Sequence, residues 1–248
     1  MTCIEEHPNK PQLHLLAENG LNYCPRSLPA VVTLKVVNNP WCGDRAEPEN
    51  FLNFITSCPN LKSCTWGQHT WTYWATLLEG DDMHKPFPSL EHLSLELYDL
   101  RNEMLTFGPH DRFDWSGLKS LKLGRNWEHV SRNLEILTGR MVNLKRLHVS
   151  TYSLEDTESD QSLEGFLMSF DTLEDLAIFN CYAPFKAIAH HPRLVNLDVH
   201  GDEDYDGSPI CNMPEVQDLI HLDKSCPSLE TIGLDIERVD DDWVCVNS

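Results

Sequence analysis

Basic residues are scarce in this chain of 248 residues: 19 lysines and arginines stand against 39 aspartates and glutamates, a formal net charge of −20. Such a charge repels polyanions, so we expect binding neither to nucleic acid nor to membranes. Long apolar runs are missing too, since no stretch reaches the roughly 18 residues that cross a bilayer. The N-terminal residues lack the basic and apolar regions of a secretory signal. These absences predict a cytoplasmic or nuclear protein.

Signals for cysteine pairing are also absent. The nine cysteines are odd in number and none forms a Cys-x-x-Cys pair, and no Asn-x-Ser/Thr glycosylation site occurs. This pattern supports neither a disulfide framework nor secretion. We expect reduced thiols that are mostly buried, because free cysteine packs as a small apolar residue.

Local catalytic signatures are lacking as well. The chain has no Gly-x-Ser-x-Gly, no His-Glu-x-x-His and no phosphate-binding Gly-x-x-x-x-Gly-Lys. Catalysis by one of the twelve histidines would need a base oriented beside a nucleophile, and no sequence-local pattern indicates one. His190 and His191 are expected at a helix C-terminus, where the dipole tolerates positive charge. We expect neither an enzyme nor a cofactor.

What the chain does contain is a repeated triplet of apolar residues, spaced three and then two positions apart, clearest in residues 89–95. The eight copies are Val31/Leu34/Val36, Leu61/Cys64/Trp66, Leu90/Leu93/Leu95, Leu118/Leu121/Leu123, Leu144/Leu147/Val149, Leu173/Leu176/Ile178, Leu194/Leu197/Val199 and Leu229/Ile232/Leu234. Their starts lie 30, 29, 28, 26, 29, 21 and 35 residues apart. This period is typical of a leucine-rich repeat with one strand and one helix per turn.

The spacing has a physical reason. In a strand of period two, the second and third members of each triplet point to one side, and the first enters the same interior from the preceding bend. One strand cannot bury that side alone, so the copies are expected to stack. The predicted fold is α/β: a leucine-rich-repeat solenoid, or horseshoe, of about eight repeats. Its parallel strands line the concave face, its helices lie on the convex face, and its crossovers are right-handed.

The boundaries between elements follow from local signals. Residues 1–27 are expected to form an N-terminal extension, with a helix over residues 11–24 that caps the sheet, and residues 28–248 a single solenoid domain. A proline two positions before the first apolar residue recurs at Pro59, Pro88, Pro192 and Pro227. Proline ends the preceding helix and releases an extended segment. The clearest amphipathic helix is predicted between Trp127 and Met141.

Residues that alternate with the buried triplet members point outward from the concave face. Neighbouring strands bring such side chains within about 5 Å of each other, so the middle of this ladder is predicted to bind a partner. The alternative is a merely solvated face. The predicted partner-binding residues are His92, Glu96, Lys122, Arg146, His148, Asp175, Asp198 and His200.

Residues 201–207 resemble the opening of an EF-hand loop, with Asp202, Asp204 and Asp206 as weak candidates for a cation site. The twelfth position, where such a loop places a bidentate glutamate, holds Met213. We therefore expect a solvated acidic loop and no metal site.

Two segments carry a family resemblance: Ser57-Cys58-Pro59-Asn60-Leu61 and Ser225-Cys226-Pro227-Ser228-Leu229. With the Leu-x-x-Leu-x-Leu strands, they resemble the cysteine-containing leucine-rich repeats of F-box proteins, fungal members in particular, over about residues 11–240. The resemblance implies a solenoid that captures a substrate for a ubiquitin-ligase core. Residues 1–27 do not show the Leu-Pro-rich helical pattern of an F-box.

The resemblance predicts a protein-binding solenoid of the substrate-receptor type, with protein partners that include a ubiquitin-ligase core. We expect the chain to be a monomer. The alternative is an F-box-independent scaffold or inhibitor that acts by occlusion. A remote third hypothesis is a cation-dependent enzyme that uses the loop from Asp202 to Asp206.

Overall fold

The computed structural model describes residues 2–3, 6–7, 10–17, 29–38, 57–67, 87–96, 114–125, 127–151, 160–182, 184–201 and 214–235. Eleven strands occur in this part of the chain: β1 (Thr2–Cys3), β2 (Glu6–His7), β3 (Lys10–Ala17), β4 (Thr33–Asn38), β5 (Ser63–Gly67), β6 (His92–Glu96), β7 (Ser120–Arg125), β8 (Arg146–Thr151), β9 (Asp175–Phe179), β10 (Asn196–His200) and β11 (Thr231–Leu234). The helices are α1 (Trp127–Leu137), α2 (Asp160–Leu167), α3 (Phe185–Ile188) and α4 (Val216–Ser225), with a 3-10 turn at Trp115–Gly117.

The eight strands from β4 to β11 are the eight predicted strands, and they run parallel in a single open sheet in sequence order. Their register matches the triplets. The second members pair across the sheet, for example Leu93 with Leu121 and Leu121 with Leu147, and the third members do the same. The α/β class and the parallel stacking of repeated units are therefore confirmed.

The core follows from this register. All first members of the triplets from Val31 to Leu194 are buried, and Leu229 is partly buried against the same core. Helix residues on the same side of the sheet complete the core, among them Leu134 of α1 and Phe166 of α2. The amphipathic helix expected after Trp127 is α1, and it buries Val130, Leu134 and Leu137 as its pattern predicts.

Backbone hydrogen bonds join each repeat to the next just before the strands begin. The carbonyl of Lys62 accepts from the amides of Glu91 and His92, and the carbonyl of Glu91 accepts from those of Lys119 and Ser120. In the same way, one carbonyl accepts from two successive amides of the next repeat at each junction as far as β11; these carbonyls belong to Lys119, Lys145, Glu174 and Val195. Because the joint is made by backbone atoms, the register does not depend on which side chains face outward.

The predicted proline turns are also present. The amide of Leu61 donates to the carbonyl of Cys58, and that of Leu229 to Cys226, so each proline lies inside a tight turn. Cys58 and Cys226 are buried in these turns, as expected for small apolar groups. The four cysteines whose burial is described are all buried, and no disulfide bond joins them. Burial also raises the pKa of the Cys64 thiol to about 12.

The helix predicted over residues 11–24 is wrong for its first half. Residues Lys10–Ala17 form β3, which lies parallel to β4 with Leu13 beside Leu34. The apolar residues Leu13 and Leu15 alternate, so they fit a strand as well as Leu13 and Leu16 fit a helix. Strands β1 and β2 pair antiparallel with β3. Residues 18–24 lie outside the described part of the chain.

His191 lies in the turn after α3, near the helix C-terminus predicted for it, but its ring is buried and does not carry the positive charge that such a position tolerates. It occupies the turn position that Cys58 and Cys226 hold in other repeats, and it is fully buried with its ring 5.2 Å from that of Phe170. Neither ring nitrogen makes a hydrogen bond of normal geometry, although the Leu167 carbonyl favours the protonated ring slightly. Burial, with His190 adding repulsion, lowers the pKa of His191 to about 4. The ring is therefore neutral at physiological pH.

We predict that Leu121→Ala destabilises the protein by about 2–5 kcal/mol, because Leu121 is buried between Leu93 and Leu147 in the sheet and truncation leaves a cavity. Ser120→Ala, one residue earlier on the outward side, should change stability by less than about 0.5 kcal/mol. Urea denaturation followed by circular dichroism measures both. Equal losses for the two variants would contradict the assignment of faces.

We also predict that His191→Met, which copies Met141 at the same turn position, removes part of the protein's acid sensitivity. Between the folded pKa of about 4 and the unfolded pKa of about 6.5 the unfolded chain binds an extra proton, so wild-type stability falls as the pH falls. From pH 7.5 to pH 5 this loss is about 2 kcal/mol. Urea denaturation at both pH values measures it, with the exposed His190→Ala as control. Parallel losses in wild type and His191→Met would refute the burial argument.

Candidate functional site

The side of the sheet opposite the core, here called the open face, is formed by outward-pointing residues in three rows. The first row contains Thr33, Ser63, His92, Ser120, Arg146, Asp175, Asn196 and Thr231. The second row contains Lys35, Thr65, Ser94, Lys122, His148, Ala177, Asp198 and Gly233. The third row contains Gly67, Glu96, Gly124, Ser150, Phe179 and His200. Each row crosses the strands at right angles.

The structure brings all eight predicted binding residues onto this one face. His92, Arg146 and Asp175 lie in the first row. Lys122, His148 and Asp198 lie in the second. Glu96 and His200 lie in the third. Arg146 and Asn196 are exposed, and the other open-face side chains from β6 to β10 are mostly half-buried, whereas the triplet residues beneath them are buried. A rigid apolar core thus holds a polar, accessible surface.

From β6 to β11 the lysine and arginine side chains of the open face are Lys122 on β7 and Arg146 on β8. Lys122 lies 4.0 Å from Glu96, a distance at which an exposed pair contributes little. Arg146 is exposed and makes no ion pair within the described part of the chain. Burial, followed by the charge of Lys122, lowers the pKa of His148. Burial and then Arg146 lower the pKa of His92. Both histidines are therefore neutral at physiological pH.

An aromatic stack crosses β8, β9 and β10 beside these charges. The ring of His148 lies 5.1 Å from that of Phe179, at an angle of 31°. The ring of Phe179 lies 5.7 Å from that of His200, at 26°. Phe179 is outside the predicted set, although it is the one large apolar side chain among the outward positions of β6 to β11. Such stacked rings offer a flat apolar surface to a partner.

Carboxylates dominate the open face from β9 to the end of β11. Asp175 accepts a hydrogen bond from the side-chain amide of Asn196. His200 lies between two carboxylates, with Nε2 2.7 Å from Asp198 Oδ1 and Nδ1 2.8 Å from Asp235 Oδ1. Asp235, which follows β11, also accepts from the Gly201 amide at 2.7 Å. It too lies outside the predicted set.

The protonation of this group follows from its geometry. A carboxylate only accepts hydrogen bonds, so the doubly protonated ring satisfies both partners. The bond to Asp235, with Asp198 adding to it, raises the pKa of His200 above its ordinary value. The bond from His200 and then the Gly201 amide lower the pKa of Asp235. The group therefore carries at most one positive charge against two negative ones.

Gly233 allows this arrangement on the neighbouring strand. It stands beside Asp198 in the register, and a Cβ at this position would collide with Asp198 Oδ1 and come within 3.3 Å of His200 Nε2. The absence of a side chain at position 233 therefore leaves the space into which the Asp198 carboxylate extends.

A second line of charges lies along the rim of the sheet, one residue before the strands. Here neighbouring repeats do pair: Lys119 Nζ lies 2.7 Å from Glu91, and Lys145 Nζ 2.6 Å from Glu174. These lysines are about half exposed, so solvent screens each pair and the pair adds little to stability. The rim residues Lys119 and Lys145 belong to the same repeats as Lys122 and Arg146, but they lie outside the open face.

The weak cation candidates Asp202, Asp204 and Asp206 lie outside the described residues. Within the described ranges, no cluster of three or more histidine, cysteine, aspartate or glutamate side chains is arranged to hold a metal ion. None of the helices described here is both long enough and apolar enough to traverse a bilayer.

The comparisons with known proteins add no relative: no family model matches the chain, and no curated protein matches it.

We predict that Gly233→Ala lowers the pKa of His200, because the added methyl group displaces Asp198 and removes one of the two carboxylate contacts. Titration of the His200 ring protons by NMR measures the change, with His200→Gln used for assignment. The control is Gly165→Ala in α2, where an added Cβ meets nothing within 4 Å. An unchanged His200 titration in Gly233→Ala would show that Asp198 does not contribute.

Proposed function

We propose that this chain is a leucine-rich-repeat solenoid whose open face is the concave, partner-binding face of a horseshoe. The observation that carries the proposal is the convergence on one surface of charged and aromatic side chains from β6 to β11, above a continuous buried core. Parallel backbone pairing fixes their relative positions, so little ordering entropy opposes binding. A surface of this kind suits capture of a protein partner better than chemistry on a small molecule.

We propose further that the capture is of the substrate-receptor type found in F-box proteins. The support is the pair of Ser-Cys-Pro turns, whose cysteines are buried at corresponding corners of two repeats. In F-box proteins the solenoid holds the substrate while a ligase core transfers ubiquitin. By this proposal the chain is not an enzyme itself and needs no cofactor, and its partners are a captured protein and a ubiquitin-ligase core.

The test is a triple substitution, Lys122→Ala, Arg146→Ala and His148→Ala, in affinity capture from the source cell followed by quantitative mass spectrometry. We expect the partners held by wild type to be lost by at least about tenfold, because the variant removes both positive charges and one ring of the stack. None of the three residues is buried in the core, so the melting temperature should stay within a few degrees of wild type.

The matched control is Lys119→Ala with Lys145→Ala, which removes two positive charges from the same two repeats at the rim. Partners that persist in the control and vanish in the triple variant support the open face. Equal recovery by all three proteins would refute the surface assignment. Ligase-core subunits among the specific partners support the receptor type, and their absence favours the F-box-independent scaffold or inhibitor.

A further inference from the structure

Charge on the open face is divided between two regions. In β7 and β8 the outward positions carry Lys122 and Arg146 and no acidic residue. In β9, β10 and β11, together with the residue that follows β11, they carry Asp175, Asp198 and Asp235 and no lysine or arginine. The boundary lies between two neighbouring strands, and the stack of His148, Phe179 and His200 spans it.

These opposite charges do not neutralise each other across the boundary. Arg146 and Asp175 are direct neighbours in the register, but no ion pair within 4 Å joins them, and Asp175 accepts from Asn196 instead. One residue earlier on the same two repeats, Lys145 and Glu174 are 2.6 Å apart. The same pair of repeats therefore closes its ion pair at the rim and leaves the charges apart on the open face.

We infer that the partner presents a short extended segment with an acidic side chain over Lys122 and beside Arg146, a basic side chain over Asp198 and beside Asp175, and an apolar or aromatic side chain between them over the stack. This inference rests on the proposed function and specifies the chemistry of the captured protein. It follows from charge complementarity, because a segment with like charges at both ends would meet repulsion at one of them.

The spacing within the segment follows from sheet geometry. Strands lie about 4.8 Å apart, so β7 and β10 are separated by about 14 Å. An extended peptide advances about 3.3 Å per residue, and side chains two and four positions apart point the same way. The acidic and basic residues are therefore four positions apart, with the apolar residue midway above His148 and Phe179. Either chain direction satisfies this geometry.

The experiment is selection of a phage-displayed random dodecapeptide library on the immobilised full chain. We expect enrichment of sequences with an acidic and a basic residue four positions apart and an apolar residue between them. Selected peptides should bind Lys122→Glu/Arg146→Glu at least about tenfold more weakly, as like charges now face each other. A new selection on that variant should yield basic residues at both positions.

The matched control is Lys119→Glu/Lys145→Glu, which makes the same charge change on the rim of the same repeats and should bind the selected peptides like wild type. Circular dichroism checks that both variants are folded. If Lys122→Glu/Arg146→Glu is not folded, Lys122→Gln/Arg146→Gln takes its place. Peptides that depend on the open face but show another charge pattern would overturn this inference and leave the proposed function standing. Failure to select any peptide that depends on the open face would contradict both.

Discussion

Everything in this molecule depends on the in-register stacking of two apolar rows, the second and third members of eight triplets, all of which are buried from β6 to β10. A single strand with two apolar side chains on one side cannot fold, since the area it buries does not offset the entropy of ordering it. When the strands pair in parallel, each row becomes continuous and the helices close over it. A slip of one residue would turn the apolar rows toward solvent, so the register is strongly fixed.

The same constraint produces the surface. Because alternate side chains must point away from the core, the residues at those positions are presented in straight rows, in which neighbours on adjacent strands lie about 4.8 Å apart. The core sets where these residues lie, and their identity sets what they recognise. Lys122, Arg146 and the aspartates of later strands can therefore vary without altering the fold. On this surface no ion pair joins the neighbours Arg146 and Asp175, whereas the rim, whose geometry is equally regular, pairs Lys145 with Glu174.

The strand register could be predicted from sequence because triplet spacing determines it directly. The element at residues 10–17 could not, since a short apolar run fits a strand and a helix equally well and a free sheet edge decides the outcome. Burial of His191 has a signal in the sequence, because the third position before the other triplets holds apolar residues such as Cys58, Trp115 and Met141.

The candidate site was predictable in its position and not in its contacts. Alternation placed all eight predicted residues on one face, but the stacking of Phe179 between two imidazoles depends on side-chain orientation, which spacing does not specify. The contact of Asp235 with His200 likewise joins a residue beyond the last strand to its neighbour. That Asp198 can extend over β11 depends on a glycine at position 233, which the triplet pattern leaves unconstrained.

The most direct test of the stacked register is a series of distances along the second row. Spin labels attached through an unnatural amino acid avoid the native cysteines and can pair position 35 with positions 148, 177 and 198 in turn. Pulsed electron–electron double resonance should then give separations between the two labels that increase by about 5 Å per strand, from about 19 Å for the first pair. Distances that do not increase in this order would contradict the solenoid and everything inferred from its open face.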